Sequence, residues 1–211
     1  MGPKYGYYPK AAKTWLIVKP DFEQEARTLF PDLVSPKDET LNITTTGKKY
    51  LGSFIGTEEG KADFISNQID SWTVDIEDLS RIAEKEPQLA YAAFVFGTSR
   101  RWNYVCRTTP GIDNLLCPLD RIIETKFIPA IVGKSFIDDT FREMISLPAR
   151  CGGMSIPKVS ETANQEYENS IQATSQLTAA IVAQNNILEI DSTALKKTKE
   201  QIKENRQKFY I

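Results

Sequence analysis

Between Thr57 and Ala83 the apolar residues Ile65, Ile69, Trp72, Ile76, Leu79 and Ala83 recur at spacings of four and three. That period lines one face of an α-helix and predicts a helix over the stretch. Pro87 closes it and suits the first turn of the next helix, PQLAYAAFVFGTSRRWNYVCRTT. Pro110-Gly111 punctuates the chain before a third helical run, IDNLLCPLDRIIETKFIPAIVG. TFREMISL reads as a short helix, and LPARCGGMSIP is broken up by Gly and Pro. A long helix is predicted from about Ser160 to Leu188, and a lysine-rich one with few apolar positions from about Thr193. Before Thr57 the pattern differs. Trp15-Leu16-Ile17-Val18 reads as a buried strand that ends at Lys19-Pro20. Asp21 is the expected N-cap of the short helix FEQEARTLF, with Gln24 in the capping-box position. Residues 31–40 read as a loop, and LNITTT and KYLGSFIG around a Gly47-Lys48 turn predict a hairpin. The expected fold class is α+β, a small antiparallel β element followed by mostly helices.

Composition changes this picture in a few places. At 211 residues the chain holds one large domain or two small ones. The net charge of −2 conceals two acid-free clusters: Lys4, Lys10, Lys13 and Lys19 at the start, and Arg100, Arg101 and Arg107 in the second helix. Such clusters are either solvated charge or the footprint of a polyanion partner. Cys106, Cys117 and Cys151 have no metal-like spacing, and their odd number argues against a disulfide framework. With no histidine, Ser-His and Cys-His catalysis and His-ligated zinc are excluded. No apolar run approaches the ~20 residues of a membrane span, so the expectation is an intracellular chain with no membrane partner, its compartment (cytoplasm or nucleus) left open.

The one acidic pair that invites a catalytic reading is Phe136-Ile137-Asp138-Asp139, because polymerases hold Mg²⁺ on an aromatic-x-Asp-Asp turn. That turn needs apolar strands on both sides. Here TFREMISL follows, and Thr140 with Glu143 forms a T-x-x-E capping box, so the aspartates are expected to complement a helix N-terminus. Glu58-Glu59 and Asp75-Glu77-Asp78 fall at the start and on the polar face of a helix. Gly152-Gly153 is too short for a phosphate loop. Arg100, Arg101, Trp102, Tyr104 and Arg107 interleave cations with aromatic rings, which suits phosphate contact with ring packing, or else a core Trp102 with solvated arginines.

In order along the chain, GYYPKAAKTWLIVK, NITTTGKKYLGSFIGTEE, QLAYAAFVFGTSRRWNYVCRTTPGI, PLDRIIETKFIPAIVG and LPARCGGMSIP resemble the C-terminal portion of a retroelement, transposon-type reverse transcriptase. The resemblance implies that Lys13 and Thr14 match the fourth palm motif, on the nucleotide side, and that Tyr50, Leu51 and Gly52 match the primer grip. It implies that residues 1–56 are the C-terminal edge of the palm, 57–133 a helical thumb and 134–211 a C-terminal helical region or connection. Where the family commonly has Asn before the Lys-Thr pair, this chain has Pro9-Lys10-Ala11-Ala12. Residue 1 would fall just after the catalytic Asp-Asp turn, making the chain a fragment of an RNA-directed DNA polymerase. Its expected partners are a primer–template RNA/DNA duplex and the remaining palm and fingers. Mg²⁺ is implied for the full-length parent, with no cofactor and no catalytic or metal-binding residue in this chain. Arg100, Arg101, Tyr104 and Arg107 would contact the duplex. Two rival expectations are a non-enzymatic nucleic-acid-binding remnant and a helical structural or interaction protein.

Overall fold

A computed structural model describes residues 13–34, 41–184 and 191–208, the last three of these for backbone only. Lys4, Lys10, the 9–12 stretch, most of the predicted 31–40 loop and the predicted end of the long helix at 185–188 lie outside the described residues. The chain divides into two compact units, Met1–Phe64 and Ile65–Ile211.

In the first unit the strands are short. β1 (Leu16–Ile17) pairs in parallel with β2 (Ile43–Thr44), with Leu16 opposite Ile43. The parallel pairing requires a crossover, and α1 (Glu23–Leu29) lies within it. The predicted buried strand at 15–18 is corrected: Trp15 and Ile17 are exposed, and among the described residues β2 is the one strand paired with β1. Asp21 is not the helix cap. A 3₁₀ turn at Pro20–Phe22 precedes α1, whose N-cap residue is Phe22 with no side-chain bond.

β3 (Gly47–Tyr50) and β4 (Ser53–Gly56) form an antiparallel hairpin, in register from Gly47–Gly56 to Tyr50–Ser53. Its turn is Leu51-Gly52, both at positive φ (48° and 87°), rather than Gly47-Lys48. Gly47 serves a different purpose, as half of a close backbone contact at the open end of the ladder. A Cβ on Gly56 would lie 2.2 Å from the Thr46 carbonyl oxygen, and one on Gly47 would lie 2.4 Å from that of Ile55. Immediately after, the Thr57 hydroxyl donates to the Thr46 carbonyl (3.1 Å) and accepts the Gly60 amide (3.2 Å), starting α2 (Glu58–Ala83) as the sequence predicts.

In the second unit the predicted apolar stripe is buried: Ile65, Ile69, Trp72, Ile76 and Ala83 are core residues, with Leu79 half-buried. Pro87 opens α3 (Pro87–Ala93), which continues through a π-helical turn (Phe94–Thr98) into α4 (Ser99–Thr108). In an unbroken α-helix Phe94 and Trp102 would point about 80° apart; absorbing one extra residue in the wider turn brings them within about 20°. Both are buried, their ring centroids 5.5 Å apart. The ring packing extends to Trp72 on one side (5.9 Å, edge-on) and Phe127 on the other (4.3 Å, stacked).

Phe127 ends a second π turn (Ile123–Phe127), which links α5 (Cys117–Ile122) to α6 (Ile128–Val132). Gly133 closes α6 in the left-handed conformation. α7 (Asp139–Ser146), α8 (Val159–Val182) and the largely exposed α9 (Ser192–Lys208) complete an α+β protein, a small antiparallel sheet followed by helices. α8 ends at Val182, short of the predicted Leu188. No described helix is long and apolar enough to cross a membrane.

Candidate nucleic-acid interface

α4 and α8 pack against each other, and a cleft of about 520 Å³ opens between them. Ligand clefts commonly have volumes of this order. On the α4 side its wall carries Arg100, Asn103, Tyr104 and Arg107, spaced three, four and seven along one helix face. On the α8 side Thr162, Gln165 and Glu166 are spaced three and four. The buried Phe94, Trp102, Ile123 and Val159 form an apolar floor, and Ser146 and Ser155 also line the cleft.

Three of the four predicted nucleic-acid-binding residues therefore converge on one cavity. Arg100 and Arg107 are exposed, and among the described residues neither forms an ion pair. Arg101 faces away from the cleft and pairs with Asp75 of α2. Tyr104 is 45% exposed, whereas Trp102 is 2% exposed and belongs to the core. Both readings of the segment hold at once, with the tryptophan inside and two arginines and a tyrosine facing solvent. Two guanidinium groups on one rim with an aromatic ring between them can take a phosphate bidentately and a planar group by stacking.

The cleft is held in shape by buried polar contacts that the sequence reading passed over. Asp120 of α5 accepts the first free amides of α8, from Val159 (2.6 Å) and Ser160 (2.9 Å), supplying a cap that Lys158, the local N-cap residue, does not provide. Arg142 of α7 is buried and donates through Nη1 to the Ile156 carbonyl (2.9 Å); burial pushes its guanidinium pKa down while Asp120 and nearby glutamates oppose that. Cys106 is on the buried face of α4, where burial above all, then Glu166 and Asp120, push its thiol up to about 12, so it stays protonated and unreactive.

Asp138 and Asp139 lie at a helix N-terminus as expected, but the box is corrected. Asp138 itself is the cap, accepting the Phe141 amide at 2.8 Å, while Glu143 pairs with Lys158 at 2.5 Å instead of returning to the N-terminus. No group of three or more acidic or cysteine side chains among the described residues is gathered in a metal-binding geometry.

The remaining predicted residues lie in the first unit. Lys13 and Thr14 are exposed, just before Trp15, whose ring has the Lys48 ammonium 3.6 Å from its centroid. Tyr50, Leu51 and Gly52 form the hairpin tip. Gly52 is a turn residue, at φ 87°. Leu51 sits at φ 48°, in the left-handed region, and is 76% exposed. Of the residues named here, Thr162, Gln165 and Glu166 were missed because a polar triplet on a long helix looks like an ordinary solvated face. Against known proteins, no family model, no curated protein and no solved structure matches this chain.

Proposed function

We propose that this chain is the primer–template-holding part of a retroelement reverse transcriptase, gripping an RNA/DNA duplex through α4. The observation that carries the reading is the convergence of Arg100, Tyr104 and Arg107 on one side of α4, with neither arginine ion-paired among the described residues. Five motif blocks in family order support it. In this reading Lys13 and Thr14 face the incoming nucleotide, and Tyr50, Leu51 and Gly52 hold the primer end. The remaining palm and fingers supply the carboxylates for Mg²⁺, since Asp138 is committed to capping α7. The parent reaction is RNA-templated addition of a deoxynucleotide to a primer 3′-hydroxyl.

The purified chain is expected to bind an RNA–DNA hybrid and, given Mg²⁺, primer and dNTPs, to extend nothing. Replacing Arg100 and Arg107 together with Gln preserves helix propensity and is expected to weaken hybrid binding with an unchanged circular dichroism spectrum. Absence of hybrid binding even at low salt would sink the proposal and leave a helical structural role. Primer extension abolished by Asp138→Ala would return a catalytic centre to the α7 cap.

A further inference from the structure

Resting on that reading, we infer that the α4–α8 cleft takes one unpaired nucleotide of the bound strand, a base splayed out of the duplex. A continuous duplex presents phosphates to a helix face, and Arg100 and Arg107 would suffice for that. The cleft offers more than phosphate contact requires. It has a second wall, an apolar floor made of Phe94, Trp102, Ile123 and Val159, and a volume of about 520 Å³. Tyr104, set between the two arginines, offers a face on which a planar base can stack. The opposite wall carries groups that read base edges. Gln165 brings donors and an acceptor and Thr162 a hydroxyl oxygen, while Asn103, on the α4 wall beside Tyr104, adds a second amide.

This wall is preset. The Gln165 amide nitrogen donates to the Asn169 Oδ1 at 3.1 Å, which fixes the orientation of the Gln165 head group. Asn169 is 3% exposed, and its Nδ2 has no partner among the described residues, so a donor is held in reserve one turn from the cleft wall. Phosphate on the arginine rim, a ring on Tyr104 and base edges towards α8 is the order in which a single extruded nucleotide would meet these groups. An acidic peptide would use the arginines too, but would leave the stacking face and the amide wall without a role.

The test compares two RNA–DNA hybrids of equal length, one fully paired and one with a single unpaired 2-aminopurine nucleotide. The full chain is expected to bind the bulged hybrid about tenfold more tightly at the same salt, with a change in 2-aminopurine fluorescence on binding. Tyr104→Ala should abolish the preference while keeping the salt dependence, and Tyr104→Phe should keep both. Equal affinity for the two hybrids overturns the inference; if Arg100→Gln with Arg107→Gln still weakens both, duplex binding stands and only the nucleotide site fails. Loss of all hybrid binding fails both proposals together. Should poly-aspartate bind wild type but not Tyr104→Ala, with no bulge preference, the cleft belongs to a protein partner and the inference is overturned.

Discussion

Arg100, Arg101 and Trp102 are consecutive, yet each meets a different environment. Trp102 packs its ring against Trp72 and Phe94, Arg101 pairs with Asp75, and Arg100 faces the cleft. The helical period makes the separation of Trp102 from the arginines legible from sequence. The Arg101–Asp75 pair is not, because the two lie 26 positions apart and only tertiary packing brings them together. Trp102→Ala is expected to cost about 3–5 kcal/mol in chemical denaturation, since a fully buried ring leaves a cavity. A loss below about 1 kcal/mol would mean that the aromatic cluster is not a core. The Glu143–Lys158 pair predicts a small pH effect. Its hydrogen bond to Lys158 holds Glu143 below the usual carboxylate range, and the same contact raises Lys158. The stability from Glu143 is present above its unfolded pKa of about 4.3 and fades as pH falls through the lower folded value. That from Lys158 is present below about 10.4 and fades as pH rises through the higher folded value. Glu143 is exposed and Lys158 half-buried, so Glu143→Gln should lower stability at pH 7 by no more than about 1 kcal/mol and leave it unchanged near pH 2.

At the scale of elements, periodicity located the long helices because a stripe six residues deep, from Ile65 to Ala83, admits no other period. It could not locate the two π turns. Each absorbs a residue to bring an aromatic into the core, and that need exists only once Phe94, Trp102 and Phe127 are packed together. The hairpin shows the opposite difficulty. Gly47-Lys48 carries the better turn signal, but its glycine is spent on close approach to Gly56, and the turn falls to Leu51-Gly52 at a cost in backbone strain. One substitution separates these uses of glycine. Gly56→Ala would force a Cβ to 2.2 Å from the Thr46 oxygen and should destabilise by about 1–3 kcal/mol. Gly97→Ala meets nothing within 4 Å in a helical turn and should stabilise by about 0.4–1 kcal/mol. Thermal melts of the two variants should shift in opposite directions; a shared sign would mean that the hairpin–helix junction is looser than these contacts require.

Across the whole molecule 26 basic residues face 28 acidic ones, so no net attraction draws this chain to a polyanion, and affinity for a duplex must come from local charge. That makes the salt dependence of binding a count of the phosphates met. Each neutralised phosphate contributes about 0.9 to the slope of log affinity against log salt on a B-form duplex. With Arg100 and Arg107 both in contact, their joint replacement by Gln should reduce the slope by about 2. Arg101→Gln is the internal control: its charge is already met by Asp75, so the slope should change by well under one unit. The comparison is made at fixed pH with the same RNA–DNA hybrid, across about 50 to 200 mM salt, the range over which such contacts are lost. A slope that Arg101→Gln lowers as much as the double variant would mean that Asp75 yields its partner to the nucleic acid and that the contact surface extends onto α2. A slope that neither variant changes would move the contact away from α4 altogether and end the case for this helix as the gripping element.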